Sequence, residues 1–303
     1  MGECRNCGAS ELQELGSIGL IAPFFLKRVL GIEVRAVRSL TPVKQKIREL
    51  AGLPLRLMTT GATQNAYADM QICLRCSFIQ TCVPFHDDDI MRLYVDYRSE
   101  TYNRERIQYE PTYAPIAAAV GQNEVEIRNR TTALAAFLRR SVPDAAFPTM
   151  LDFGGSDGKF MPRLPGSKYV YEISNIAPVP GVTRIGSEAE LGTYSIVFLA
   201  HVTEHVPHPL QLVRKVSAYV EPGGYLYIET PQEIPDETRD RMRRREVRGQ
   251  VYLHEHINSY CMPAVRALLE SAGFAVVDAE RAIVDVGWAT GVHLRILGRK
   301  SDA

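Results

Sequence analysis

The sequence has no excess of either charge: 35 Lys and Arg balance 35 Asp and Glu over 303 residues. A protein that grips polyanions over a broad surface usually carries a strong basic excess, so the balance argues against a general nucleic-acid binder while leaving room for a local basic site. Long hydrophobic runs are also missing. The longest near the N-terminus, Ile18 to Leu26, contains Pro23 and ends at Lys27, far short of the roughly 20 residues a membrane helix needs. Glu3, Cys4, Asn6 and Cys7 stand where a signal peptide would place its basic start and apolar core, so a cytoplasmic location is expected. Six cysteines are too sparse for a disulfide scaffold, and a reducing compartment favours thiolate–metal chemistry. No internal repeat or low-complexity tract is visible. The length suggests two domains at about 150 residues each.

Five of the six cysteines fall in the first 85 residues, which we take as one domain (1–85). Residues 86–145 read as a helical connector that caps the site formed by the domain after it. Asp87 to Tyr97 could start on an acidic helix N-terminus, and Glu124 to Arg140 is imperfectly amphipathic. Residues 146–303 read as an α/β domain. Met150–Phe153, Tyr169–Ile173, Tyr194–Ala200 and Gly224–Thr230 are short apolar runs, and helices are expected from Pro209 to Val220 and from Pro263 to Gly273. Near-continuous apolar strands alternating with helices indicate a parallel sheet covered on both faces. Phe274–Ile283 and Val292–Arg299 close it as two strands.

Asp152-Phe153-Gly154-Gly155-Ser156-Asp157-Gly158 follows the first of these strands and is expected to open a helix. Glycine there allows a sharp turn and close approach of a ligand, and Glu172, 20 residues after Asp152, can accept hydrogen bonds from both ribose hydroxyls of a nucleoside. The absence of Gly-x-x-x-x-Gly-Lys-Ser/Thr excludes a P-loop. The segment resembles the Asp/Glu-x-Gly-x-Gly-x-Gly loop of class I S-adenosylmethionine-dependent methyltransferases, with Ser156 in place of the middle glycine. Val197 to Val206 looks like the family's fourth strand and its Glu-His-Val signature, and Glu221-Pro222-Gly223-Gly224-Tyr225-Leu226 resembles its turn into the fifth strand. The resemblance implies a Rossmann-like α/β fold and an S-adenosylmethionine site lined by Asp152, Gly154, Gly155, Ser156, Gly158, Glu172, Ala200 and His201. The acid expected near the adenine has no clear counterpart beyond Gly186-Ser187-Glu188.

Cys4-Arg5-Asn6-Cys7 and Cys73-Leu74-Arg75-Cys76 form two Cys-x-x-Cys knuckles, whose four thiolates suit tetrahedral Zn²⁺ and leave no open position, so the zinc is expected to be structural. Cys82 and Cys261 read as ordinary buried thiols. A Cys-x-x-Cys-Gly start, a second knuckle and then Tyr94, Tyr97 and Tyr102 resemble the N-terminal zinc domain of sugar C-methyltransferases, which act on nucleotide-linked keto-sugars. Their Tyr-His-Glu-His-x-x-Tyr/Phe motif is matched by Leu253-His254-Glu255-His256-Ile257-Asn258-Ser259-Tyr260, with Leu253 where the tyrosine stands and Tyr252 one place earlier. Members commonly carry a further C-terminal domain, whereas this sequence ends just after the methyltransferase core.

Five of the seven histidines lie in two segments, His201, His205 and His208, then His254 and His256, both after strands where open α/β sheets place ligands. His256 is the first choice for a general base, with Glu255 tuning it or binding an acceptor hydroxyl and His205 as the second candidate. Arg239 to Arg248 holds six arginines and reads either as a solvated helix or as a lid gripping an acceptor phosphate. The expected reaction is methyl transfer to a small polar acceptor of the sugar or nucleotide-sugar class, at carbon or oxygen. Two alternatives stay open: a degenerate methyltransferase acting as a binding or regulatory protein, and an RNA methyltransferase with a zinc knuckle. Oligomeric state is left open.

Overall fold

The computed structural model describes residues 2–32, 48–50, 53–60, 63–119, 123–247, 250–285 and 290–302. After the first knuckle the chain forms strand β1 (Leu12–Ile21) and helix α1 (Pro23–Leu30). The apolar run that is too short for a membrane is thus divided between them. Pro23 at the first helical position gives up no helical hydrogen bond, and Gly31, at φ 67°, ends the helix with its N–H on the Lys27 carbonyl. Strands β2 (Arg48–Leu50), β3 (Leu53–Thr60), β4 (Thr63–Cys73) and β5 (Ile79–Thr81) follow. The connector is helical as its sequence implies. Helix α2 (Asp87–Tyr94) starts on three acids, with Asp89 accepting from the His86 N–H. Ser99 caps α3 (Glu100–Tyr109), then α4 (Ala114–Ala119) follows, and Asn123 caps α5 (Glu124–Ser141).

The second half contains β6 (Thr149–Phe153), β7 (Ser167–Tyr171), β8 (Val182–Ile185), β9 (Tyr194–Ala200), α6 (Pro209–Val216), β10 (Val220–Pro231), α7 (Asp236–Arg243), β11 (Gln250–Leu253), β12 (Asn258–Ser259), α8 (Met262–Ser271), β13 (Ala275–Asp285) and β14 (Thr290–Arg299). Seven of these strands make one sheet in the order β13-β14-β10-β9-β6-β7-β8, in which β14 runs antiparallel to both neighbours while the pairs from β10 to β8 are parallel. The chain leaves β6 towards β7 and later returns on β6's other side as β9. That reversal opens a crevice at the strands' carboxyl ends, where ligands of such sheets bind. One expectation fails here. No helix follows the glycine loop, and none joins β7 to β8; residues 154–166 and 172–181 run as turns and extended chain. Pro162, Pro165, Pro178 and Pro180 interrupt both connections, and the second is also too short to lay down a helix and return.

The other sheet orders its strands β11-β1-β4-β3-β2, with β5 pairing β4 and β12. Residues 250–259 therefore complete the sheet of the N-terminal segment: β11 lies parallel to β1, and β12 antiparallel to β5. The two halves also share a core, in which Cys4, Cys7, Cys73 and Cys76 pack with Leu151, Val197, Leu210 and Val265. Direct bonds fasten the first knuckle to the α/β half: the Leu210 N–H donates to the Arg5 carbonyl at 3.2 Å and the Asn6 amide to the Ala264 carbonyl at 2.8 Å.

Arg239 of α7 is 2 % exposed and donates to the carbonyls of Ser77, Ser259 and Tyr260 and to the Ser259 hydroxyl. It fastens the second knuckle to the chain leaving β12. Its loss would strand several buried acceptors, so Arg239→Ala should lower the unfolding free energy by about 3 kcal/mol. The exposed Arg241→Ala on the same helix should stay within about 0.5 kcal/mol. Urea denaturation of the two variants beside the parent checks the contrast.

Candidate active site and cysteine centre

The crevice is built on β6. A Cβ on Gly155 would lie 2.1 Å from the Asp152 carboxyl carbon, so no side chain fits there while Asp152 keeps its place. Ser156, where the resembled loop carries glycine, is held at φ 57°, a left-handed conformation that a residue with a Cβ adopts only under strain. What holds it is Glu172. One carboxylate oxygen accepts from the Ser156 N–H at 2.9 Å and the other from the Ser174 N–H at 3.0 Å, which ties the loop to the end of β7. Each oxygen keeps a further lone pair for a ligand.

Two buried groups of opposite charge beside this loop each keep one polar atom without a hydrogen bond. Asp152 is 3 % exposed, its Oδ1 makes no hydrogen bond, and burial pushes its carboxyl up to about 7 although Arg130 pulls the other way. Arg130 of α5 lies 4.1 Å over the Phe160 ring, donates to Glu126 and Glu229, and leaves its Nε unpaired. Glu229 on β10 accepts in addition from Tyr227 Oη at 2.6 Å, Arg295 Nε at 2.9 Å, and His201 and His293 at 3.1 Å each. Burial works against its charge, yet Arg130 and the two histidines hold it well below the usual carboxylate range. His201 follows Ala200 at the end of β9 with φ 58°, its ring between Glu229 and Glu204. Those carboxylates raise it above its ordinary value against the effect of burial.

Beyond β9 the second cluster forms. The Glu204 carbonyl accepts from the N–H groups of Ile257 (2.9 Å) and Asn258 (3.2 Å), drawing together the segments that carry His205 and His256, whose ring centres lie 4.7 Å apart. His205 Nδ1 is 2.7 Å from Tyr94 Oη and 3.0 Å from the Glu255 carbonyl. Burial, with the charge of His256, lowers His205 to about 4. His256 behaves oppositely: burial disfavours its charge, but Glu233, 2.6 Å from its Nδ1, raises it to about 9. Burial lowers His254, its ring 4.9 Å from that of His256, to about 4. Glu255 receives Tyr97 Oη at 2.8 Å, Tyr102 Oη at 3.2 Å and the Arg106 guanidinium, which outweighs burial and keeps the carboxylate far below its ordinary range. The three tyrosines singled out by sequence thus converge from α2, α3 and the turn between them on His205 and Glu255.

The cysteine sulfurs converge as well. Cys4 and Cys76 are 3.8 Å apart, Cys7 and Cys73 3.7 Å, and all four lie within 4.8 Å of one another. Four sulfurs about 2.3 Å from a tetrahedral zinc would stand about 3.8 Å apart, so the donor set fits that ion. The knuckles are alike in backbone. Gly8 (φ 74°) and Ser77 (φ 61°) follow the second cysteine of each and return their N–H to the Cys4 and Cys73 carbonyls at 2.8 Å. A hydrogen bond from Cys76 draws Cys4 down to about 6, and burial pushes Cys7 up to about 11, the mark of adjacent thiols that cannot all ionise without a cation among them.

Sequence reasoning missed Arg106, Arg130, Glu229 and Glu233. Arg106 with Glu110, and Arg130 with Glu126, are spaced i,i+4, a pattern common on solvated helix faces that does not single them out. The arginine run proves mixed: Arg239 is interior, Arg244 pairs with Glu246 at the surface, and Arg248 lies outside the described residues. Glu188 is taken by Lys215 and Tyr219.

A methyltransferase-domain family model matches residues 127–279, half of the chain. The chain belongs to that family and is a methyltransferase. A ubiquinone biosynthesis O-methyltransferase of Vibrio parahaemolyticus is 44% identical over 39 residues, 13% of this chain and 17% of its own length; the chain thus matches less than a fifth of that relative. Among solved structures, the Burkholderia thailandensis 1,6-didemethyltoxoflavin-N1-methyltransferase, with its didemethyltoxoflavin and S-adenosylhomocysteine, is similar at 16% identity over 64% of this chain and 86% of that one, with a TM-score of 0.43. A Thermotoga maritima S-adenosylmethionine-dependent methyltransferase, described as a possible histamine N-methyltransferase, is 15% identical over 66% of this chain and 98% of its own, with a TM-score of 0.41.

The His256–Glu233 pair has a definite pH signature. Because His256 is raised from its ordinary value near 6.5 to about 9, the pair's stabilisation is complete below about pH 6.5 and is lost as pH rises through 9. Titration of the His256 ring by NMR should give a midpoint near 9 in the parent and at least one unit lower in Glu233→Gln.

Proposed function

We propose that this methyltransferase uses S-adenosylmethionine and acts on a small polar acceptor of the sugar or nucleotide-sugar class. The observation that carries the reading is that a Glu172-supported glycine loop and His205 follow the neighbouring strands β6 and β9 of one sheet, while His256, expected after a strand of that sheet, comes instead from the turn between β11 and β12 of the other sheet and packs against His205. S-Adenosylmethionine, when bound, supplies an electrophilic methyl group. Glu172 would receive the ribose hydroxyls, and Gly154, Gly155, Ser156 and Gly158 would let the cofactor lie against the backbone, with Ala200 and His201 along the next strand. The unpaired Asp152 Oδ1 and Arg130 Nε are complementary to an ammonium and a carboxylate, the two charges of a methionyl end. Loss of charged hydrogen bonds at Glu172 removes about 1.5–3 kcal/mol, so Glu172→Ala should weaken S-adenosylhomocysteine binding by roughly 10- to 150-fold in calorimetric titration.

Methyl transfer needs an aligned acceptor and a place for its proton. Sequence pattern puts His256 first for that proton. Its pairing with Glu233 keeps it charged at neutral pH, so we assign proton removal to the neutral His205, steadied by Tyr94, and to His256 the stabilisation of negative charge developing on an acceptor oxygen. Glu255 stays anionic and anchors the tyrosines that wall the acceptor. Single-turnover methyl transfer at saturating cofactor should fall by about 10²- to 10⁴-fold in His205→Ala, with cofactor affinity retained. His256→Ala and Glu255→Gln should also slow turnover. Normal turnover in His205→Ala and a large loss only in His256→Ala would return the base to His256.

Cys4, Cys7, Cys73 and Cys76 are proposed to hold one structural zinc. Since metal binding is coupled to folding, Cys76→Ser should lose zinc by elemental analysis and melt at lower temperature, as should the parent after chelation. Full zinc content in a variant lacking both knuckles would refute the site.

A further inference from the structure

The turn between α2 and α3 carries the residue that stands out once the site is assembled. Arg98 has φ 59°, a left-handed conformation natural for glycine and strained for arginine. Its place is fixed on both sides. Tyr97 before it reaches Glu255, Ser99 after it caps α3, and its own carbonyl accepts from the Asn103 amide at 3.2 Å. The guanidinium rests 4.8 Å from the centre of the Tyr97 ring, the ring whose hydroxyl lies on Glu255.

The surrounding arginines all have carboxylates. Arg28 takes Asp96 and Glu105, Arg92 takes Asp89, Arg104 takes Glu100, and Arg106 takes Glu110 and Glu255. Among the described residues Arg98 has none within salt-bridge distance, and it is exposed. A glycine would adopt this turn without strain, so the strained arginine points to a use for its side chain. That side chain is a flat cation with no salt-bridge partner among the described residues, stacked on a wall of the acceptor site, where the Glu255 charge behind the Tyr97 ring acts on it without contact. A guanidinium in such a setting binds oxyanions through paired hydrogen bonds.

We propose that Arg98 binds an oxyanionic group of the methyl acceptor and so restricts acceptors to small anionic molecules. The inference rests on the assignment of the His205–Glu255 region as the acceptor site. Phosphate and carboxylate share the required chemistry, and the experiment separates them. This role is the one suggested at the sequence level for the arginine run, whose Arg239 is occupied inside the fold.

The test is calorimetric titration of the full chain, saturated with S-adenosylhomocysteine, with glucose 1-phosphate, glucuronate and uncharged glucose. The parent should bind one or both charged sugars at least tenfold more tightly than glucose, and whichever is preferred identifies the group. Arg98→Gly should lose that preference, retain its affinity for S-adenosylhomocysteine, and melt at or above the parent's temperature because glycine relieves the strained φ. Arg98→Asn, whose side chain also tolerates the left-handed region, provides a second folded variant. A parent that binds the three sugars alike, or an Arg98→Gly variant that keeps the preference, overturns the proposal. Failure of the acceptor reading looks different: the charged-sugar preference would disappear in Arg98→Gly, yet no sugar phosphate, sugar acid or nucleotide sugar would be methylated by the parent. Methylation of an uncharged sugar, unaffected by Arg98→Gly, would instead leave the methyltransferase reading in place and remove the anion site.

Discussion

The Glu255 carboxylate joins the parts of this molecule that must act together. It sits between the sheet completed by β11 and the helical connector, and it receives Tyr97, Tyr102 and Arg106. A buried carboxylate is costly unless it is paired and fully hydrogen-bonded, and removing one partner of such a pair typically destabilises by about 3–5 kcal/mol. The connector is thereby fixed over the carboxyl ends of the strands. Tyr94 then meets His205, and the Tyr97 ring becomes a wall on which Arg98 can lie. Without that anchor, α2 and α3 would still be capped helices, but nothing would aim their tyrosines at the site.

Around this anchor, charges are separated with some care. His205 and His256 are close enough to repel if both were protonated, and the structure resolves the conflict by giving Glu233 to one and Tyr94 with a backbone carbonyl to the other. A cation and a neutral base side by side are more useful to a proton transfer than two imidazoles of equal basicity. Deeper in, Glu229 collects Arg130, His201, His293, Arg295 and Tyr227. It thereby fixes a strained His201 at the end of β9, where the crevice opens. The two clusters touch through Glu204 and His201, so the sides proposed for the methyl donor and the acceptor share one buried chain of charge.

Much of the fold was legible because its signals are local. β9 begins and ends where its apolar run does, α2 and α5 open on their acidic or capped N-termini, and the glycine loop follows β6. The helix expected after that loop was not legible as absent; Pro162 and Pro165 interrupt the connection, and they weigh less in a periodicity reading than a strand–glycine–helix pattern does. The cysteine knuckles could be paired from spacing alone, and their sulfurs converge. The partners of the histidines could not. Glu233 is distant in sequence from His205 and close to His256 only through a fold-back, and Arg106 and Arg130 are disguised by i,i+4 acids on their own helices. The register of β11 turns Leu253 into the core and leaves Tyr252 exposed, a distinction invisible to a motif in which the two are neighbours.

The parallel pairing of β1 with β11 has a consequence for how the chain comes to be folded. Ile18 to Ile21 register with Gln250 to Leu253, so the N-terminal sheet waits for residues made long after its own. Contacts between segments so far apart in sequence are slow to form, because the intervening chain must be closed into a loop first. Until then β1 presents an unpaired edge, the kind of surface on which unfinished chains associate. The knuckles offer an early remedy. Cys4 and Cys73 flank β1 and β4, so a metal captured by the first 76 residues would hold that hairpin-like core together while the rest of the polypeptide is still emerging.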